Sequence, residues 1–462
     1  MNDETIETEA PERDDYRLDE RLFRDVAEIV EAGDGDALRA RLEDLHEADI
    51  ADFLEQISPE QRRDLLGLAP DIVDGEVLSE LDEGLREEVI GLLPATALGE
   101  ALRELESDDV VDLLEDLDEP EQEALLEALD DADRVAIVQA LSYPEFSAGR
   151  MMQREVVAVP EHWNVGQAID HMRAHDDLPD DFYHVILVDP RHRPTGYVTL
   201  GKIMGSPRAT ELRSILEDSF RTIPVDQDEG DVAYAFNQYH LISAPVVDDD
   251  GRLVGMITID DAMIVLDEEH EEDILRLAGV GEDGGSMSSS VREIVRGRFP
   301  WLAVNLVTAI VASLVIAQFE AALAQIVALA VLMPIVASMG GNAGTQALTV
   351  AVRAIATRDL TGSNVWRVIR REATVGLLNG MAFAVIMGIV GVIWFGMPML
   401  GVVIGVAMVV NLVVAGLAGI GIPVILERVG VDPALASGAF VTTVTDVVGF
   451  FAFLGLAVVV LL

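Results

Sequence analysis

The chemically most demanding residue in this 462-residue chain is Asp446, set in the apolar stretch TTVTDVVGFF. It lies nine residues into the last apolar segment, ~14 Å along a helix at 1.5 Å per residue. That depth is close to the middle of a bilayer, where an ionised carboxylate facing lipid is costly and must instead face a wet cavity or a cation. Thr442 and Thr443, four and three residues earlier, put hydroxyls on the same helix face. Asn342 and Gln346, also four apart, occur in PIVASMGGNAGTQ beside Pro334, Gly340, Gly341 and Gly344. Those helix-weakening residues fit either a broken helix lining a polar path or close packing through small residues. Asn411, in a further apolar segment, fits interhelical hydrogen bonding and pathway lining equally well. A carboxylate among amides and hydroxyls suits a hard cation that keeps most of its water, as Mg2+ does. Chemistry alone leaves Mg2+, Mn2+ and Co2+ open. One Asp per chain is a thin site, but two chains on a twofold axis would bring two carboxylates to one ion.

The elements that must carry these groups are membrane helices. Five apolar segments, near 300–318, 326–350, 373–395, 401–426 and 437–462, each supply the ~20 residues that cross a bilayer. Arg292, Arg296 and Arg298 precede the first; Arg353, Arg358, Arg367, Arg370 and Arg371 lie between the second and third; Arg428 lies between the fourth and fifth. The other two loops contain no Lys or Arg. By the positive-inside rule the N-terminus is cytosolic and the C-terminus external, in a multi-pass protein of the cell membrane.

Charge divides the chain. Residues 291–462 hold nine Arg, no Lys and seven Asp or Glu, a net of +2, so residues 1–290 carry −53 of the total −51. A folded polyanion of this kind is the composition of salt-adapted proteins. It excludes nucleic acid as a partner, because a phosphate backbone needs a basic face. The absence of Cys leaves the redox compartment unread, and the acidic N-terminus has no signal-peptide pattern.

Residues 20–143 read as short amphipathic helices (IADFLEQI, RRDLLGLA, REEVIGLLP, VVDLLEDL) punctuated by Pro59, Pro70, Pro94 and Pro120. Their loose repeat of roughly 20–25 residues predicts a small helical superhelix. After Pro144 the period becomes that of strands, in HVILVD, GYVTL, APVVD and GMITI. Asp189, Gly196 and Thr199 recur as Asp248, Gly255 and Thr258, an offset of 59 residues that predicts two βα units about a pseudo-twofold. Neither a nucleophile–base pair, a Walker motif nor a zinc-ligand cluster is present, so enzyme function is not expected.

With RGRFPWLAVNL, PIVASMGGNAGTQALTVAVRAIATRDL, VDPALASGAFVTTVTDVVGFF and SAGRMM in hand, the chain resembles the MgtE family of magnesium channels over nearly its whole length. The expected fold is multidomain: an α-helical superhelix N-domain, an α/β tandem pair of cystathionine-β-synthase (CBS) domains, and an all-α five-helix transmembrane domain. The expected boundaries are 1–19 (a disordered acidic terminus), 20–143 (N-domain), 144–208 and 209–266 (CBS pair), 267–296 (plug helix and linker) and 297–462 (membrane domain).

The resemblance implies a homodimer with one pore, an influx channel for Mg2+ closed by cytosolic Mg2+. It matches Asp446 to the family's pore carboxylate and Asn342 to a pore amide, with Thr442 beside them, while Gly438 replaces a further pore Asn. It implies cytosolic Mg2+ ligands at Glu76, Asp108, Asp112, Asp228, Asp261, Glu269, Glu272 and Asp273; Gly230 and His240 replace acidic ligands. The Gly-x-x-Thr-x-x-Asp pattern in GMITIDD implies at most one ATP site per chain, at Thr258 and Asp261, since Lys202 stands at the corresponding place in the first unit. The rival readings are an Mg2+ carrier coupled to Na+ or H+, and a membrane-anchored nucleotide sensor that moves no ion.

The Arg distribution generates a direct test of topology. A tag after Leu462 is expected to be reachable only from outside, and a label at Glu427 or Arg428 only from the cytosol. A C-terminal tag accessible only from the cytosol overturns the five-span topology.

Overall fold

The computed structural model describes residues 18–281 and 291–462, apart from 116, 118, 127, 128, 130, 176, 177, 180 and 181. Most of the expected acidic terminus and of the linker after the plug helix therefore lies outside the described residues. The chain forms two compact units, residues 1–268 and 269–462.

Among the described residues the first unit begins with ten α-helices: α1 (Glu20–Ala32), α2 (Gly35–Leu42), α3 (Glu47–Gln56), α4 (Pro59–Leu68) and α5 (Gly75–Ser79), then α6 (Glu83–Leu92), α7 (Ala95–Glu104), α8 (Ser107–Glu115), α9 (Glu119–Leu126) and α10 (Asp131–Ala140). Asp side chains do much of the capping: Asp19, Asp34, Asp74 and Asp82 each accept a backbone N–H at a helix start. Ser58 and Gln61 form a reciprocal capping box on α4. One core, with Leu38, Phe53, Leu54, Leu78 and Leu113 fully buried, runs through the helices. Two buried arginines close helix ends: Arg62 donates to Leu54 O at 2.7 Å, and Arg86 donates to Ser79 O and Leu81 O at 3.2 Å. A cation at carbonyls left open at helix C-termini is favourable.

Two small sheets follow. The first comprises β1 (Ala158–Pro160), β2 (His184–Val188) and β3 (Pro194–Thr199), with α11 (Val165–Ala174) and α12 (Leu200–Gly205). The second comprises β4 (Ile223–Pro224), β5 (Ser243–Val247) and β6 (Leu253–Thr258), with α13 (Glu229–Tyr239) and the start of α14 (Ile259–Ala278). Each sheet has one parallel and one antiparallel pairing, with a register shift at Leu187/Val188 and at the equivalent Val246/Val247. His184 and Ser243, equivalent under the 59-residue offset, touch each other through their side chains.

The units exchange their ends. Ala148 and Met152 lie in the core of the second sheet, and Leu212 lies in the core of the first. A cut between residues 208 and 209 thus divides the chain but not the cores. The swap brings Gln153 alongside β6, where it exchanges backbone hydrogen bonds with Met256 at 2.9 and 2.8 Å.

The second unit starts in the latter half of α14 and continues through α15 (Val291–Ala317), the short α16 (Glu320–Gln325), α17 (Val327–Ala356), α18 (Val365–Phe395), α19 (Pro398–Arg428) and α20 (Pro433–Leu461). Five of these are long and apolar enough to cross a bilayer. Helix α19 is central and most buried, while α15 leaves nearly all its surface exposed. Helix α17 runs unbroken through Pro334 and its glycines. Those glycines serve packing rather than a break: a Cβ on Gly344 would come within 2.5 Å of Val441 Cγ1.

Candidate functional site

Helices α17 and α20 cross where their small residues meet. A Cβ on Gly341 would lie 4.0 Å from Thr442 Cγ2, and one on Gly344 would lie 3.5 Å from Thr445 Cγ2. Asn342 follows Gly341 and Asp446 follows Thr445, so both candidate pathway residues stand at this crossing. Asp446 and Thr442 are half-buried. Thr442 spends its hydroxyl proton on its own helix, donating to Gly438 O at 2.9 Å and Ala439 O at 3.1 Å. Its oxygen keeps lone pairs for a further contact.

Helix α17 shows a second feature that spacing only half revealed. Ser338, Asn342, Thr345, Gln346 and Thr349 are all exposed, while Leu332, Val336, Gly340, Gly344, Ala347 and Leu348 are buried. At 3.6 residues per turn this is one polar stripe, opposite the packed face. The apolar character of the surrounding helix hides it from a hydropathy reading. Asn411 is fully buried on α19, and its Nδ2 donates to Val336 O at 2.8 Å. Of the two readings open for it, the structure selects the interhelical bond.

In the first unit, carboxylates collect at two helix starts. Asp108 and Asp109 stand in the first turn of α8, and Asp260 and Asp261 in the first turn of α14. Glu106 and Glu155 join them: Gln153 Nε2 donates to Glu106 at 2.6 Å, and Ser107 Oγ donates to Glu155 at 2.8 Å. Burial is the main force on Asp108, Glu106, Asp109 and Asp261. It raises Asp108 well above the ordinary carboxylate range, and the charges of Asp261, Asp109 and Glu106 add to the rise. Burial also lifts Glu106 to about 7, with help from Glu155 and Asp109. Asp109 rises to about 7 through burial, Asp261 and Asp112. Asp261 rises to about 6, burial outweighing the hydrogen bond from Thr258. Beside them Gln153 Oε1 is buried without a partner among the described residues.

Among the described residues no three Asp, Glu or His side chains converge in a preformed chelate. Asp112 belongs to an ion pair with the buried Arg86 at 2.6 Å. Asp228 caps α13, accepting from Asp231 N at 3.2 Å. Glu76 stands exposed in the first turn of α5.

In the second unit, Glu272 pairs with Arg276, whose Nη1 also donates to Asp432 at 2.7 Å. Asp273 is raised to about 6 by burial, Asp432 and Glu269. Asp432 also caps α20, accepting from Ala434 N at 2.7 Å. Leu277 packs on Leu348, Val352, Ala434 and Val441, so the end of α14 lies against α17 and α20.

Residues 45–146 match the MgtE intracellular N domain, residues 148–207 and 212–268 match CBS domains, and residues 333–456 match the MgtE divalent cation transporter family. The magnesium transporter MgtE of Thermus thermophilus is 33% identical over 445 residues, covering 95% of this chain and 98% of that protein. The chain belongs to the MgtE family. The magnesium transporter MgtE of Bacillus subtilis is 30% identical over 353 residues, 76% of this chain and 78% of that protein. Among solved structures, the cytosolic domain of the Mg2+ channel MgtE in complex with ATP is 31% identical, covering 52% of this chain and 98% of that one with a TM-score of 0.49.

The MgtE resemblance carried by the sequence motifs is thereby established, as is the multidomain fold of helical N-domain, CBS pair and five apolar helices. The two acidic groups also hold Glu106, Asp109, Glu155, Asp260 and Asp432, which sequence reasoning did not single out. A signal existed for two of them, because Asp109 and Asp260 belong to the Asp-Asp pairs that open α8 and α14.

These raised pKa values fix the sign of a pH effect. In the folded unit Glu106 and Asp109 hold protons up to about 7, whereas unfolded they release them near about 4. Their contribution to stability is present at low pH and lost as pH rises through about 7. Denaturant unfolding of the N-terminal unit in Mg2+-free buffer at fixed KCl should show these groups' contribution to stability falling between about pH 4 and 7. The Glu106→Gln, Asp109→Asn double variant should flatten that slope, and an unchanged slope would contradict the assignment.

Proposed function

We propose that this MgtE chain is a homodimeric magnesium channel of the cell membrane, with a cytosolic N-terminus, that admits Mg2+ down its electrochemical gradient and closes when cytosolic Mg2+ is high. The observation that carries the reading is the exposed polar stripe of α17, on the helix whose Gly341 and Gly344 pack against Thr442 and Thr445 of α20, next to Asp446 in the chain. Five polar side chains exposed on one helix at membrane depth are stable only against water or protein. A second copy about a twofold axis covers the stripe, makes a wet path between two of them and brings a second Asp446 to the same ion. Mg2+ resists losing its water, so a path of amides, hydroxyls and a carboxylate pair suits it better than a tight cage. Both named relatives are magnesium transporters, and transport is not an enzymatic class.

The cytosolic sensor in this reading is the cluster of Glu106, Asp108, Asp109, Glu155, Asp260 and Asp261, with Gln153 Oε1 as a neutral acceptor. Hydrated Mg2+ needs only one or two direct carboxylates and can reach the others through its waters. Glu269, Glu272 and Asp273, with Asp432, form the corresponding acidic group of the second unit. Glu76, Asp112 and Asp228 fit the sensor less well, since exposure, the Arg86 pair and the α13 cap already account for them. Thr258 Oγ1 donates to Asp261 at 2.6 Å, and ATP held through this pair competes with a cation for the Asp261 carboxylate.

Asp446→Ala is expected to abolish growth of a magnesium-auxotrophic host while the protein remains folded in the membrane. Full uptake by the well-expressed variant would remove Asp446 from the pathway. Neutralising Asp261, Glu269, Glu272 and Asp273 together should leave the channel open at high internal Mg2+ and remove the protection from protease that Mg2+ gives, because a ligand shifts an equilibrium only by its differential affinity. The comparison needs KCl at equal ionic strength. If KCl protects as well as Mg2+, the sensor reading fails while the pathway reading stands.

A further inference from the structure

Asn411 sits in a slot cut by glycines on two other helices. A Cβ at Gly340 of α17 would stand 2.1 Å from the Asn411 Nδ2, and one at Gly449 of α20 would stand 2.8 Å from it. Neither position admits even a methyl group while the amide is in place. The Nδ2 is tied to Val336 O of α17, and the Oδ1 is buried without a partner among the described residues. Anchorage of α19 to α17 alone calls for no glycine on α20. The slot therefore keys three helices at once.

The key fixes the two helices that carry the pathway residues. Asn342 comes two residues after Gly340, about 200° around α17, so seating Gly340 against α19 turns Asn342 to the opposite side. There it is exposed, in line with Ser338 and Thr345. Asp446 comes three residues before Gly449, about 60° away around α20 and ~4.5 Å along it. A one-residue slide of α20 would drive Val448 or Phe450 into the amide.

We propose that Asn411 is a positioning residue for ion passage: it touches no ion but sets the rotation and depth at which Asn342 and Asp446 face the pathway. This inference rests on the pathway reading above. A purely cohesive role predicts that removing the amide lowers stability and nothing else. A positioning role predicts altered register and altered ion preference in protein that still folds.

The test uses the full chain, whose lack of Cys makes introduced pairs clean reporters. Gly341→Cys with Thr442→Cys places two thiols at the α17–α20 crossing, and oxidative cross-linking in membranes is compared with and without Asn411→Ala. Transport by Asn411→Ala in the otherwise native chain is measured in proteoliposomes with Mg2+ and Co2+. The expected result is a changed cross-linking yield and a half-saturating Mg2+ or Mg2+/Co2+ rate ratio altered about tenfold, within the loss that a displacement of about 1 Å causes at a positioned site. Gly340→Ala should impair folding, and adding Asn411→Ala should restore folded yield without restoring the native ratio.

Native cross-linking together with native transport in Asn411→Ala overturns the proposal. If Asn411→Ala does not fold, Asn411→Ser takes its place under the same criteria. Asp446→Ala is assayed alongside. Normal transport by that variant sinks the pathway reading, whereas its failure beside a native Asn411→Ala sinks only the positioning role.

Discussion

The constraint on which the N-terminal unit turns is carboxylate charge that its own fold gathers and partly buries. Two carboxylates ~5 Å apart repel by about 3 kcal/mol at an effective dielectric of 20. Asp108 and Asp109 at the start of α8 face this cost together with Asp260 and Asp261 at the start of α14. Hydrogen bonds hold the arrangement: the Gln153–Met256 backbone pair, and the bonds from Gln153 to Glu106 and from Ser107 to Glu155. The positive ends of two helices favour anions at those positions. What remains is a repulsion that protons or a cation relieve, and relieve only while the α8 and α14 starts stay together. A cluster of this kind makes compactness depend on what neutralises it.

The membrane unit solves the opposite problem, the shortage of water. Its hydroxyls turn back on their own helices: Thr443 donates to Ala439 O at 2.5 Å, Thr445 to Thr442 O at 3.0 Å and Thr349 to Thr345 O at 3.0 Å. The backbones approach closely through small residues, as where a Cβ on Gly376 would come within 2.5 Å of Leu412 O. Packing through small residues suits helices that gain nothing from hydrophobic contact in lipid. With these hydroxyls bonded within their own helices, the exposed amides of Asn342 and Gln346 and the half-buried Asp446 stand out among the polar groups of the unit. That division gives the polar stripe of α17 its meaning.

Much of this was legible in the sequence because the governing signals are local. Apolar length and Arg placement mark five spans, and the 59-residue echo from Asp189 to Asp248 marks two related units. Asp446 announces itself because a carboxylate in an apolar run has no ordinary explanation. Illegible were the features that depend on which elements meet. No spacing rule places Glu155 beside Glu106, because the exchange of ends between the two CBS cores brings residues 147–153 to the second sheet. Likewise Pro334 and three glycines in α17 left a break and close packing both open, and only the structure shows Gly344 making room for Val441 of α20 and Gly340 for Asn411 of α19. Asp112 and Asp228 looked alike as acidic positions in the sequence, yet one serves Arg86 and the other a helix cap.

Salt decides which of the many acidic residues can report on a divalent ion. At about 1 M ionic strength the Debye length is near 3 Å, so exposed carboxylates are screened by the bulk electrolyte. Glu76 and Asp228 are of this exposed kind. Buried groups are screened much less, and Asp108 is buried, with the half-buried Glu106 and Asp109 beside it. A polyanion can therefore still discriminate a divalent cation in concentrated salt, provided that the discriminating carboxylates are the few withdrawn from solvent. Under the proposed sensing role, the −53 charge of residues 1–290 serves mainly solubility, and the response to Mg2+ belongs to the small set whose pKa values burial has raised.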